Sequence, residues 1–304
     1  MRLSVYGMTL LLLAGPVAAV AGDLNGTYKD LQQAVENKDA ALVKKLAAEI
    51  QPLIKDALAV PAPQSADDKE AWKSQIEWAK SVQTYAEYSL YATAVVSPPA
   101  VLVDMVATLE QLNPKSKYMD EAYGPYLYAL NQTGASAKIP AIAEKGLECF
   151  PENEDLLIVM AENAMSRKQS DRALAFANRL TAAVNRHPKP EAMSAADWEK
   201  KRDASLSRGY WIAGVISGEK NLYAAADRNL RAALPLIKGS DAMMAPALFY
   251  LGVANYNIGK MTNNKAKVLE GAKFSDQAAA IAGPYQDQAW RNAALIKKEA
   301  ATMR

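Results

Sequence analysis

The chain has one cysteine, Cys149, and one histidine, His187, among 304 residues. A single cysteine closes no internal disulfide. A cysteine nucleophile needs a neighbouring base, and the only histidine lies in the loop Asn185-Arg186-His187-Pro188. Cys149, in Gly146-Leu147-Glu148-Cys149-Phe150, reads as a small buried hydrophobe near a helix end. His187 reads as a solvated loop residue. Charge of one sign is also lacking. The 35 Lys and Arg against 33 Asp and Glu leave a net +2, with no basic block. That balance speaks against nucleic acid as a partner and against a polybasic membrane contact. No glycine-rich phosphate loop follows a strand pattern, and no His/Cys/Asp set has ligand spacing. Glu152 and Asp155 fall in a loop and at a helix start, where capping accounts for acids. The sequence therefore reads as a protein that is not an enzyme, with no cofactor and no metal.

Long hydrophobic runs are scarce, and the one that occurs is N-terminal. Met1-Arg2 is a short positive region, Met8 to Ala14 is apolar except for Thr9, and Ala19-Val20-Ala21 is a small-x-small site. Residues 1–21 are expected to be a signal peptide, cleaved before Gly22. No cysteine follows the site, so the leader is not of the lipoprotein kind. No later stretch approaches the ~20 apolar residues of a transmembrane helix. The mature chain, 22–304, is expected to be exported and to carry no transmembrane segment.

What is present is helix. Ala and Leu dominate and β-branched runs are few. Leu31, Val35, Leu42, Leu46, Ile50 and Leu53 make an apolar stripe, interrupted at Asn37-Lys38-Asp39. Val60-Pro61-Ala62-Pro63-Gln64-Ser65 is a linker, because its prolines deny a helix its donors. A long helix is expected from Asp67 to Val96, with Trp72, Ile76, Ala79, Val82 and Ala86 on one strip and Tyr85, Tyr88 and Tyr91 on a second. Shorter helices follow at Ala100–Leu112, Asp120–Asn131 and Ala137–Glu148. Ser194-Ala195-Ala196-Asp197 reads as an N-cap with an acid at the third position, opening a helix to Ser217. A last helix ends the chain, with Tyr285, Ala289, Ala293, Ile296, Ala300 and Met303 on one face. It reads as a solvating cap.

The stretch Ser207–Ala278 organises the rest. Gly214 is followed by Ala226, Leu230 and Ala233, and Leu248, Leu251 and Gly252 lead to Asn255, Gly259 and Val268. Helices approach to ~8–10 Å only where the contact residues allow it, and Gly214 and Ala226 are twelve residues apart, the spacing that the repeat family this pattern resembles uses for that contact, so Gly214 is expected against Ala226. Residues 120–153 and 154–187 form two further units in phase, Pro151 closing the first. The last unit, 245–278, has a weaker second half, since Gly271 stands where an alanine belongs. This pattern resembles the tetratricopeptide repeat, a 34-residue pair of antiparallel helices. The resemblance covers about 120–278; for 25–115 it rests on helix pairing alone.

The resemblance implies an all-α, right-handed superhelix of helical hairpins with a C-terminal capping helix. It divides the mature chain into an N-terminal helical region, 22–115, and a repeat region, 116–304. It is similar as a whole to exported repeat proteins of bacterial envelopes, periplasmic or secreted. In such repeats the first helix of each pair lines the inner groove. The groove positions carried over are Tyr128, Asn131 and Gln132; Ile158, Glu162 and Met165; Arg208, Trp211 and Val215; and Phe249, Val253, Tyr256 and Asn257. The family's lysine/asparagine clamp for a peptide carboxylate is missing, because Ile158 and Tyr128 stand at two of its places. The expected function is a noncatalytic scaffold binding a protein or peptide through an aromatic groove. Burial of Trp211, Phe249 and Tyr256 between repeats would remove that groove. The alternative is a helical protein binding a small ligand or glycan, with Trp72, Trp78 and the tyrosines as stacking platforms.

Overall fold

The structure is a computed structural model and describes residues 16–189 and 193–303. The apolar run Met8–Ala14 and Pro190 lie outside the described residues. The described chain is all-α, with thirteen α-helices and two short 3-10 turns. Among the described residues, no helix is long and apolar enough to cross a membrane. The chain divides into two compact units between Lys138 and Ile139. The division falls inside the 120–153 stretch rather than at 115, so the two helices expected to pair there belong to different units.

The first unit holds α1 (Pro16–Glu36), α2 (Ala40–Leu58), α3 (Ala66–Ala94), α4 (Pro99–Leu112), α5 (Lys117–Gln132) and a 3-10 turn at Ser136–Lys138. α1 spans Pro16–Glu36, so it begins well ahead of the apolar stripe that opens at Leu31 and runs through Ala21-Gly22. Each helix packs on the next, and α1, α3 and α5 also touch in sequence order, as do α2 and α4. The core is mainly aliphatic, with Leu24, Leu31, Ile50, Leu90, Leu109 and Leu130 all buried, and it includes Tyr123 and Tyr126 of α5. Trp72 donates its indole N–H to the carbonyl of Val60 at 2.8 Å, which pins the proline-rich linker to α3.

The second unit holds α6 (Ile139–Cys149), α7 (Glu154–Ser166), α8 (Ser170–Arg186), α9 (Ala195–Glu219), α10 (Tyr223–Ala233), a 3-10 turn at Leu234–Leu236, α11 (Asp241–Met261), α12 (Lys265–Ala279) and α13 (Gln286–Thr302). α7 pairs with α8, α9 with α10, and α11 with α12. Each second helix then packs on the first helix of the following pair, and α7, α9, α11 and α13 touch successively. The core is shared between pairs. Ala161, Ala173 and Ala177 meet Ile212 and Ile216, and Ala226 and Leu230 meet Ala247 and Leu251. Val268 and Ala272 meet Ile296 and Ala300 of α13. The expected inner face of α13 is thus in place. Its outer side is less polar than a solvating cap requires, with Trp290 68% and Leu295 52% exposed.

One turn recurs through the chain. Lys38, Gly134, Lys168, Asn221 and Asn263 all have φ between 49° and 74°. In each case that residue's N–H bonds three residues back, and the next N–H bonds five residues back. This double closure satisfies the last carbonyls of a helix with one left-handed residue. Gly134 and Lys168 are 34 residues apart, the period of the resembled repeat. The same device therefore ends α1 and α5 as well as α7, α9 and α11.

Glycine contacts refine one expectation and correct another. A methyl group on Gly214 would come within 2.5 Å of Leu230 Cγ and Cδ2, so the side chain nearest Gly214 is that of Leu230. Ala226 is fully buried in the same cluster. Gly271 does not weaken its pair. A methyl there would lie 2.7 Å from the Tyr256 nitrogen and 2.8 Å from the Gly252 carbonyl, so α11 and α12 are in backbone contact. Where alanine was expected, only glycine lets the two chains approach this closely.

Candidate functional site

The expected groove residues divide sharply by environment. In the first unit, Tyr128 is 66% exposed on α5, and its hydroxyl accepts from Gln132 Nε2 at 2.7 Å. Asn131, also exposed, accepts from Ser136 Oγ at 2.7 Å. In the second unit, Glu162 on α7 and Arg208 on α9 form an exposed ion pair at 3.2 Å. The aromatic positions there are engaged by the protein itself. Trp211 donates its indole N–H to the Met243 carbonyl at 2.8 Å, joining α9 to α11. Phe249 is only 6% exposed and packs with Leu248, Ala278, Ala289 and Tyr285. Tyr256 donates to Glu299 of α13 at 2.8 Å. Asn257 donates back to the Val253 carbonyl one turn earlier, and Val215 is buried. Phe249 is thus closed off, and Trp211 and Tyr256, both half-buried, are held by contacts between helices of the second unit. The reason is physical: α11 is apolar nearly all round, and such a helix is buried on all sides.

The aromatic surface lies instead on the first unit, on α1, α3 and α5. Trp78 meets Tyr28 edge-on at 6.4 Å between ring centroids, and Tyr28 meets Tyr85 at 5.2 Å. Tyr85 is 6.3 Å from Tyr88, Tyr88 is 5.6 Å from Tyr118, and Tyr118 stacks on Tyr91 at 5.8 Å. Six rings form one unbroken ladder across three touching helices. Tyr88 is 41% exposed and the others are half-buried. Burial pushes the phenols of Tyr28 and Tyr85 up. Tyr91 is pushed up to about 12 by burial and then by the Glu121 carboxylate that it meets. The phenols of Tyr28, Tyr85 and Tyr91 are therefore neutral at physiological pH. Lys117 sits 4.9 Å from the Tyr118 ring centroid. The Tyr85-Tyr88-Tyr91 strip is visible in sequence. Tyr28 and Tyr118 join it only through the packing of α1 and α5.

The charged clusters are structural in geometry. Asn255 is fully buried between α10, α11 and α12, donating to Asp227 at 2.7 Å and accepting from Arg231 and Lys267 at 3.0 and 2.9 Å. Arg231 also pairs with Glu270 at 2.8 Å. Burial alone would raise the Glu270 carboxyl, but hydrogen bonds from Arg231 and Lys267 outweigh it and hold the group below its ordinary value. His187 is not simply solvated. It lies 3.1 Å from the buried Glu154 carboxylate and 3.4 Å from Glu152, bracing the start of α7. Cys149 is half-buried and free. Among the described residues, no group of three or more His, Cys, Asp or Glu side chains could hold a metal ion. An open cleft of about 570 Å³ in the second unit is lined by Leu234, Pro235, Lys238, Met244, Leu248, Phe274 and Gln277. It offers a ligand one amine and one amide.

No family model and no curated protein matches the chain. Among solved structures, a computationally designed self-assembling cyclic homooligomer is similar over 94% of each chain, at 12% identity and a TM-score of 0.23. A similarity that low bears on neither fold family nor function.

Proposed function

We propose that the chain is a noncatalytic, exported scaffold of the tetratricopeptide type that binds a protein or peptide, and that its partner surface is the aromatic ladder of α1, α3 and α5. The observation that carries the binding role is the ladder itself. Six contiguous, partly exposed rings on one helical layer are the kind of surface that anchors a partner, since tyrosine and tryptophan dominate interface energies. The repeat reading is supported by the recurrent left-handed turn and by the order in which α7, α9, α11 and α13 touch. A noncatalytic role is supported by the titratable clusters, whose members hold helices together. Export is supported by the leader pattern and by Ala19-Val20-Ala21, and N-terminal sequencing from cells should begin at Gly22. An intact Met1 in the mature pool would contradict it.

The binding role is tested by probing a random peptide array with the mature chain and its Tyr88→Ala variant. Peptides held by the parent should lose at least about tenfold in affinity, as loss of an aromatic anchor typically does. Unchanged capture by the variant would remove the ladder from the function.

A further inference from the structure

The outer side of α13 is the pairing side of a repeat. The helices α9, α11 and α13 each bury one stripe against the second helix before them. Ala213 and Ile216 do so on α9, Leu251 and Ala254 on α11, and Ala293 and Ile296 on α13. Aligned on those stripes, Tyr210, Leu248 and Trp290 share one place. Gly214, Gly252 and Ala294 share a second, and Gly259 and Ala301 a third. On α9 and α11 the helix that follows covers these places. Tyr210 packs against the cluster of Ala226 and Leu230, and Leu248 against Ala278. A methyl on Gly214 would strike Leu230 of α10, one on Gly252 would strike Ser275 of α12, and one on Gly259 would strike Val268. On α13 the same places are open among the described residues: Trp290 is 68% exposed, and Ala294 and Ala301 are exposed too. Stacked repeats end on a polar outer face, and α13 instead presents an indole, two alanines and Leu295.

The covered pairs fix the shape of the occupant. From Gly252 to Gly259 on α11 the contact moves back from Ser275 to Val268 on α12, so the two helices run antiparallel. The covering residues fall four and three apart: Ala226, Leu230 and Ala233 on α10, and Val268, Ala272 and Ser275 on α12, all buried. Amphipathic helices dock through stripes of this spacing, and a small residue such as Ala294 lets one come close. Charge selects among helices. Lys297 is held by Asp276 and Glu299 by Lys260. Arg291, Lys298 and Asp287 are exposed with no ion pair among the described residues, two cations against one acid, which leaves the face at +1. A second copy would bring the same charge to the contact, whereas an acidic helix neutralises it.

We infer that α13 receives an antiparallel amphipathic helix of an acidic partner protein, its apolar stripe seated on Trp290 and Ala294 and its carboxylates beside Arg291 and Lys298. This surface belongs to the second unit and goes beyond the ladder reading. The test is fluorescence anisotropy on the mature chain with three labelled peptides of about 18 residues, near 27 Å as helices, matched to the 17 residues of α13. Each is built of Ala and Gln with leucines four and three apart. The first carries glutamates beside that stripe, the second carries lysines in their place, and the third is the acidic peptide with a central proline, which breaks the helix. The acidic helix should bind at least about tenfold more tightly than either control. Trp290→Ala should lose at least about tenfold in that affinity. Arg291→Gln with Lys298→Gln should bring the acidic and basic peptides together. Val96→Ala, at an exposed apolar site of the first unit, should change nothing. Circular dichroism on each variant separates lost binding from lost folding. Equal binding of the acidic helix and its proline-broken form would overturn the inference, as would equal binding of the acidic and basic helices. Binding that survives Trp290→Ala, or binding of no peptide, would overturn it too. Sedimentation velocity of the mature chain without peptide tests the second copy: a dimer that Trp290→Ala dissociates would replace the acidic partner.

Discussion

Aromatic residues on odd-numbered helices meet two fates in this chain. On α9 and α11, Trp211, Phe249 and Tyr256 find partners inside the second unit: a carbonyl, an apolar cluster and a carboxylate on α13. On α1, α3 and α5 of the first unit, six rings find mainly one another and stay partly open to solvent. The same residue types thus serve cohesion at Trp211, Phe249 and Tyr256 and present a surface at the ladder, while Tyr123 and Tyr126 of α5 are buried in the first unit's own core and Trp290 of α13 is 68% exposed in the second. Position on a first helix is therefore no guide to availability. The deciding feature is whether the neighbouring helix offers a matching acceptor or an apolar wall.

Truncation separates the two fates most strongly. Phe249→Ala should cost about 3–5 kcal/mol, the range for emptying a buried phenylalanine site. Tyr88→Ala, at an exposed site, should cost about 1 kcal/mol or less. Urea titration of the mature chain reads both, and equal costs would erase the distinction.

Helix contact in the second unit gives the next largest effect. Ala226→Leu should cost about 1–3 kcal/mol by overpacking the cluster it shares with Leu230 and Ala247. Ala224→Leu, exposed on the same helix, should cost under about 0.5 kcal/mol. Leucine is nearly as good a helix former as alanine, so the difference reports packing. Equal, small effects would mean that α9 and α10 are not packed as a repeat pair.

Much of this was legible in the sequence, and the failures have causes. The helices from 154 to 279 follow from periodicity, and Ser194 caps α9 as its spacing to Asp197 requires. Ala226 is buried as expected, but the identity of the residue on Gly214 depends on how far α10 is rotated, which spacing alone leaves open. Phe249 could not be assigned a face because α11 has apolar residues on every side. His187 looked solvated because Glu154, its partner, lies 33 residues away. The ladder was half visible: α3 shows its own tyrosines, whereas Tyr28 and Tyr118 arrive from helices paired in three dimensions.

Acid should weaken the second unit through Glu270. Its carboxyl is held below the ordinary value of 4.5 by Arg231 and Lys267. A depressed carboxylate stabilises the fold above its unfolded value, and that contribution is lost as pH falls through the folded value. Thermal stability of the mature chain should therefore fall below about pH 4.5, and Glu270→Gln should flatten that part of the profile. An unchanged slope would remove Glu270 from the acid response.

The smallest effect concerns the recurrent turn. Lys168 adopts φ 57° where glycine carries no side-chain penalty. Lys168→Gly should stabilise the chain by about 0.5 kcal/mol, the left-handed strain relieved minus glycine's greater unfolded-state entropy. Destabilisation would show that the lysine side chain contributes more than the strain it imposes.

Hydroxyl-radical footprinting of the intact mature chain, read residue by residue, tests the contrast between the units most directly. The account predicts strong modification at Tyr88 and Tyr128, measurable modification along the rest of the ladder, and almost none at Phe249. Adding a ladder-binding peptide should protect Tyr88 and leave Trp211 and Tyr256 unchanged. Strong labelling of Phe249, or peptide protection appearing at Trp211 and Tyr256 instead of Tyr88, would contradict it.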